Sequence, residues 1–94
     1  MELVILKLVS GDVVMGRYDE ENSPEGKRRL LKPMNLMLDP MQGGVGMMPY
    51  DAVFSQEEPE FMDFKEEHIM HNIKVHPTFE EAYVKQTSGI ELAA

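Results

Sequence analysis

The chain has no cysteine. No disulfide can staple it, and no thiol nucleophile is available. The absence suits a reducing compartment, and a cytoplasmic location is expected. It also has no apolar run of about 18 residues, so no membrane-spanning helix is expected. The N-terminus lacks a basic stretch followed by an apolar run and a small-residue cleavage site, so no signal peptide is expected. Basic residues are few, with 9 Lys and Arg against 17 Asp and Glu, for a net charge of −8. Such a balance argues against broad nucleic-acid binding, which depends on neutralising phosphates.

What basic charge there is lies unevenly. Lys27, Arg28, Arg29 and Lys32 fall close together, whereas acidic residues gather at 19–21, 57–60 and 66–67. A local positive patch on an acidic body follows, either as a solvated hairpin tip or as a grip on a partner.

With 94 residues the chain suits one domain spanning 1–94. A domain of this size buries only roughly 60–70% of its unfolded surface, so its core is thin. Small β domains often compensate by associating.

Leu3 to Val9 reads as a strand that is apolar on both faces. Val4, Leu6 and Leu8 share one face, and Leu3, Ile5 and Val9 share the other with Lys7. Such a strand is buried on both faces, or buried on one and covered by a partner on the other. Ser10-Gly11-Asp12 is a turn, and Val13 to Tyr18 a second strand with Val14, Gly16 and Tyr18 on one face. Asn22-Ser23-Pro24-Glu25-Gly26 is a second turn. Arg28 to Asp39 reads as a third strand, with Leu30, Met34, Leu36 and Leu38 in one parity. Pro33, which cannot donate to a ladder, marks an edge or bulge. Met47 to Phe54 reads as a fourth strand. A fifth lies within Phe61 to Val75, marked by Ile69, Ile73 and Val75.

The period then changes. Thr78 and Glu81 fit a capping box, and a helix over about 78–88 follows, with Phe79, Ala82 and Tyr83 on one stripe. The expected fold is mainly β: a small, strongly bent five-stranded antiparallel barrel with a short C-terminal helix. Gly16, inside a strand, marks a bend or a close backbone approach.

Catalysis finds little support. No serine sits in a G-x-S-x-G setting, and Gly43-Gly44 is not followed by Gly-Lys-Ser/Thr. The carboxylates lie in loops. His68 and His71, three apart on a strand, point to opposite faces and cannot easily share a metal. No enzyme activity, metal or cofactor is expected. The 9 methionines read as adaptable core and interface filler.

Val4, Leu6 and Leu8, then Gly11, Gly16 and Tyr18, then Met34-Asn35 resemble the first motif of the Sm-like family (Sm, LSm and bacterial host-factor-type RNA-binding rings). Phe64-Lys65-Glu66, with Ile69 following, is similar to the second motif, although Glu66 stands where the family carries glycine. The family has an acidic residue ahead of its Met-Asn pair; here Glu21 or Asn22 is nearest, and the interval from Gly16 to Met34 is longer. Lys7-Leu8-Val9-Ser10-Gly11, Leu31-Lys32-Pro33-Met34 and the C-terminal helix are also similar to small Sm-like proteins of tailed phages.

The resemblance implies a homo-oligomeric ring of about five to seven copies that pair edge strand to edge strand. It implies RNA or single-stranded DNA as ligand. Asn35 would contact a base, Met34 would pack against it, and Lys65 would meet a phosphate; Arg28 and Arg29 would add charge. Read without the resemblance, Asn35 is a strand-end residue and Lys65 a solvated lysine. A protein–protein or structural module on the same barrel remains the alternative.

Overall fold

A computed structural model describes residues 2–39, 41, 43–50 and 59–87. The last part of the expected fourth strand, 51–54, and residue 88 of the expected helix lie outside these residues. Six strands and one helix are present: β1 Glu2–Leu8, β2 Val13–Tyr18, β3 Lys27–Asp39, β4 Gly44–Pro49, β5 Phe61–Lys65, β6 Ile69–Ile73 and α1 Pro77–Thr87. The fold is mainly β and antiparallel, with a C-terminal helix, as the sequence implies. The segment read as one fifth strand is two, separated by a 3₁₀ turn at Glu66–His68.

The strands pair in the order β4-β3-β2-β1-β6, and β5 joins β3 beside its first half. β3 is long enough, at 13 residues, to hold β5 against Lys27–Leu31 and β4 against Met34–Asp39 on the same edge. β5 therefore lies at one end of the pairing path and β6 at the other, yet only the three residues of the 3₁₀ turn join them. Three residues reach roughly 10 Å at most. The sheet must curl until its ends approach. Among the described residues the ladder does not close, so the result is a strongly curled open sheet and not a hydrogen-bonded barrel.

Curling explains one apolar face of β1. Val4, Leu6 and Leu8 turn inward onto Val14, Leu30 and Phe64, with Tyr18, Tyr50, Met62 and Ile69 at the margin. The second face is covered by α1. Ile5, Met15 and Met34 pack with Tyr83, and Phe79, Val13, Leu36, Met47 and Ile73 surround them. Each such side chain removed from water contributes about 1.5–3 kcal/mol, so the helix is as much a part of the core as any strand.

One parity expectation fails at a specific place. Leu30 faces the inner core, whereas Met34 and Leu36 face the helix. Met15 pairs with Met34 and Arg17 with Leu31, so β3 carries an extra residue there. That extra residue makes a bulge at Lys32 and Pro33, and parity flips across it. Lys32 takes φ +46°, a left-handed conformation that costs a lysine energy. Its N–H donates to the Glu60 carbonyl at 2.7 Å, and the Tyr83 hydroxyl lies 2.9 Å from the Lys32 carbonyl oxygen. These bonds hold it.

The helix starts at Pro77, so its N-cap lies two residues ahead of Thr78, the N-cap that the capping-box reading implies. His76 is the N-cap. Its carbonyl accepts from Phe79 and Glu80, and its Nδ1 accepts from the Thr78 N–H at 3.1 Å. Pro77 then fills the first helical position, where a missing N–H costs nothing.

Candidate functional site

The first half of β3 sits between β2 and β5, and cross-strand register decides which side chains meet. Lys27 lies opposite Lys65, Arg29 opposite Asp63 and Leu31 opposite Phe61. Arg17 of β2 lies opposite Leu31. Residues two apart on a strand share a face. Arg17, Lys27, Arg29, Phe61, Asp63 and Lys65 therefore occupy the outward face. Leu30, Met62 and Phe64 occupy the inward one.

Geometry confirms the outward arrangement. Arg29 Nε and Nη2 donate to the two Asp63 carboxylate oxygens at 2.8 and 3.1 Å, a bidentate pair. Its guanidinium also lies 3.9 Å from the Phe61 ring centroid. The hydrogen bond from Arg29 holds the Asp63 carboxyl below the usual carboxylate range, and the same bond raises the Arg29 guanidinium. Phe61 remains 45% exposed. Arg17 stands over the Tyr83 ring at 5.7 Å. Burial pushes the Tyr83 hydroxyl up to about 12, against the lowering effect of Arg17.

Arg28 and Arg29 are strand neighbours and so diverge. Arg28 Nε donates to Glu66 at 2.9 Å, and its guanidinium lies 5.7 Å from the Tyr18 ring centroid. Lys27 and Lys65 are both exposed and directly opposed, and neither has an ion-pair partner among the described residues.

The turn between β2 and β3 carries a second polar arrangement. Asp19, buried, accepts from the Asn22 side-chain amide at 2.8 Å and from the Asn22 backbone N–H at 3.4 Å. Ser23 Oγ donates to the Asp19 carbonyl at 2.7 Å and accepts from the Arg29 N–H at 2.9 Å. The Glu66 N–H donates to the Gly26 carbonyl at 3.0 Å, which ties this turn to the 3₁₀ turn.

The candidate residues thus separate. Lys65, Arg28 and Arg29 gather at the β3–β5 end. Asn35 does not join them: it lies past the bulge, between Val14 and Met48, roughly 25 Å of strand from Lys27. Met34 is 5% exposed and packs in the helix-covered core, so its side chain supplies internal packing and has no surface to offer a base. His71 is exposed on β6. No group of three or more His, Asp or Glu side chains is placed to hold a metal ion among the described residues.

Sequence reasoning overlooks Arg17, Phe61 and the Asp19–Asn22 pair. The last has a local signal, an aspartate with an asparagine three residues on ahead of Ser-Pro, which is a common side-chain-to-backbone turn pattern. Arg17 and Phe61 meet the basic cluster only through register between distant strands. No protein-family model matches the chain, and no curated protein sequence matches it either.

Proposed function

We propose that this chain is a self-assembling Sm-like module whose copies join edge to edge in a ring and bind RNA or single-stranded DNA. The observation that carries the reading is the pair of open edges on one curled sheet. β6 pairs with β1 alone and β4 with β3 alone among the described residues. Both edge strands carry apolar side chains in water: Met70 on β6 is 63% exposed, and Val45 on β4 is 42% exposed. Unpaired N–H and C=O rows flanked by apolar groups invite another strand, and a ring satisfies every edge at once.

The ligand half of the reading rests on the cations of the β3–β5 end. It also rests on the order of an acidic residue and then an asparagine after the second glycine. Asp19 and Asn22 fit that order better than Glu21 and Asn35, because Asp19 holds the Asn22 amide in place. No methionine precedes Asn22.

Light scattering on the purified chain should return a mass that is an integral multiple of 10.7 kDa. Val45→Lys and Met70→Lys, at exposed positions on the two edges, should reduce it to the monomer. A monomeric parent overturns the ring. The second reading, a protein partner in place of nucleic acid, draws on the net charge of −8 and on the carboxylates that already engage Arg28 and Arg29. A ring that ignores single strands at low salt would select it.

A further inference from the structure

We infer that the outward face of β2, β3 and β5 is the track for a single strand of nucleic acid, with phosphates on Arg17, Lys27, Arg29 and Lys65 and one base stacked on Phe61. The inference rests on the nucleic-acid reading above. It moves the contact away from Asn35 and from the β2–β3 turn and onto a sheet face.

Three observations carry it. The first is charge. Four cations share this face with two carboxylates that act on Arg29, Asp63 directly and Asp19 from the end of β2, on a chain whose net charge is −8. The local excess is opposite in sign to the rest of the molecule, so a polyanion is drawn here and repelled elsewhere. The second is the opposition of Lys27 and Lys65. Like charges directly across a ladder destabilise the pair. Asp63 attracts Lys27 from the same strand as Lys65, yet the two lysines still face each other, and a phosphate between them would relieve the repulsion.

The third is Phe61. Phe61 lies on the outward face of β5 with 45% of its surface in water. The Arg29 guanidinium lies 3.9 Å from its ring centroid and is itself fixed by Asp63. The ring is therefore pre-oriented, with the guanidinium over one face, and a base would stack on the other. A flat apolar surface next to phosphate-binding cations is the chemistry that single strands require, because every base offers a π face. An acidic peptide would use the cations and leave the ring idle.

Fluorescence anisotropy with a short labelled single strand, in RNA and DNA versions at low salt, tests the track. Phe61→Leu should weaken binding roughly tenfold and Phe61→Tyr should restore it, since stacking needs the ring and not the bulk. The Lys27→Gln/Lys65→Gln double variant should lower the slope of log affinity against log salt by about 1.4. Parent-like affinity in Phe61→Leu overturns the track. So does equal competition by poly-glutamate in parent and Phe61→Leu, which would mark an acidic-peptide surface. If the parent ignores single strands, the nucleic-acid reading falls and the track with it. If the parent binds, Asn22→Ala abolishes binding and Phe61→Leu does not, the track alone falls and the turn is the site.

Discussion

The Tyr83 hydroxyl lies 2.9 Å from the carbonyl oxygens of both Leu31 and Lys32. One hydrogen bond donor from the C-terminal helix thereby closes two acceptors at the β3 bulge, where a regular ladder cannot. The ring of Tyr83 is fully buried, and Arg17 stands over it. Helix docking, the bulge and the outward cationic face therefore meet at one residue.

Tyr83→Phe keeps the ring and removes that donor. It should cost about 1–3 kcal/mol, the range for leaving buried polar groups unpaired. Urea unfolding followed by far-ultraviolet circular dichroism measures it. The variant also has an alkaline signature. The folded hydroxyl ionises near pH 12, above its ordinary value of 10. The unfolded chain thus releases this proton first as pH rises. Stability is full below about pH 10 and is lost as pH climbs towards 12. Tyr83→Phe should lack that component of the alkaline loss.

Gly16 faces the same bulge from β2. A Cβ there would stand 3.0 Å from the Leu31 carbonyl oxygen and 3.0 Å from Leu30 Cβ. The oxygen belongs to the backbone that Tyr83 holds, so it cannot swing aside as a side chain would. Gly16→Ala should destabilise the fold by about 1–3 kcal/mol through overpacking. Gly44→Ala is the control, because a Cβ at Gly44 meets nothing within 4 Å. It should leave the urea midpoint unchanged or slightly raised. Equal midpoints for parent and Gly16→Ala would show that strands β2 and β3 are not closely held.

These residues also mark where the sequence is readable. β2 runs from Val13 to Tyr18, as its pattern implies, because Gly11 and the Asn-Ser-Pro-Glu-Gly segment bracket it. The two-sided β1 is legible as well, and α1 proves to be the partner on its second face. The parity of β3 is not legible. Pro33 marks an edge or bulge, and the bulge lies there, but Lys32 beside it gives no hint of φ +46° or of the parity change. The break between β5 and β6 hides for a similar reason: Glu66-Glu67-His68 contains no glycine or proline. In the candidate site, the positive cluster around Lys27 is visible in one dimension. Its facing carboxylate is not, because Asp63 meets Arg29 only through strand register.

The Arg29–Asp63 pair should report on acid stability with a definite sign. Its hydrogen bond to Arg29 lowers the Asp63 pKa in the folded chain. A depressed carboxyl contributes stability that is present above its unfolded value, about 4 for an aspartate, and is lost as pH falls through the folded value. At neutral pH, Asp63→Asn should therefore be less stable than the parent. Its side chain is partly solvated, so the difference should be small, about 1 kcal/mol or less. The difference should shrink as pH falls from about 4 towards the depressed folded value, because the unfolded chain takes up the proton first and the pair itself is lost once the folded carboxyl is protonated. Urea midpoints for the two proteins at neutral pH and at acid pH measure this convergence. The same substitution frees Arg29 from its carboxylate. If a single strand follows the outward face, Asp63→Asn should bind it more tightly than the parent at neutral pH. A variant that is less stable yet binds more tightly would separate the pair's structural part from its competition with phosphate. Weaker binding would instead mean that Asp63 serves to aim Arg29, and that aim matters more than the charge released.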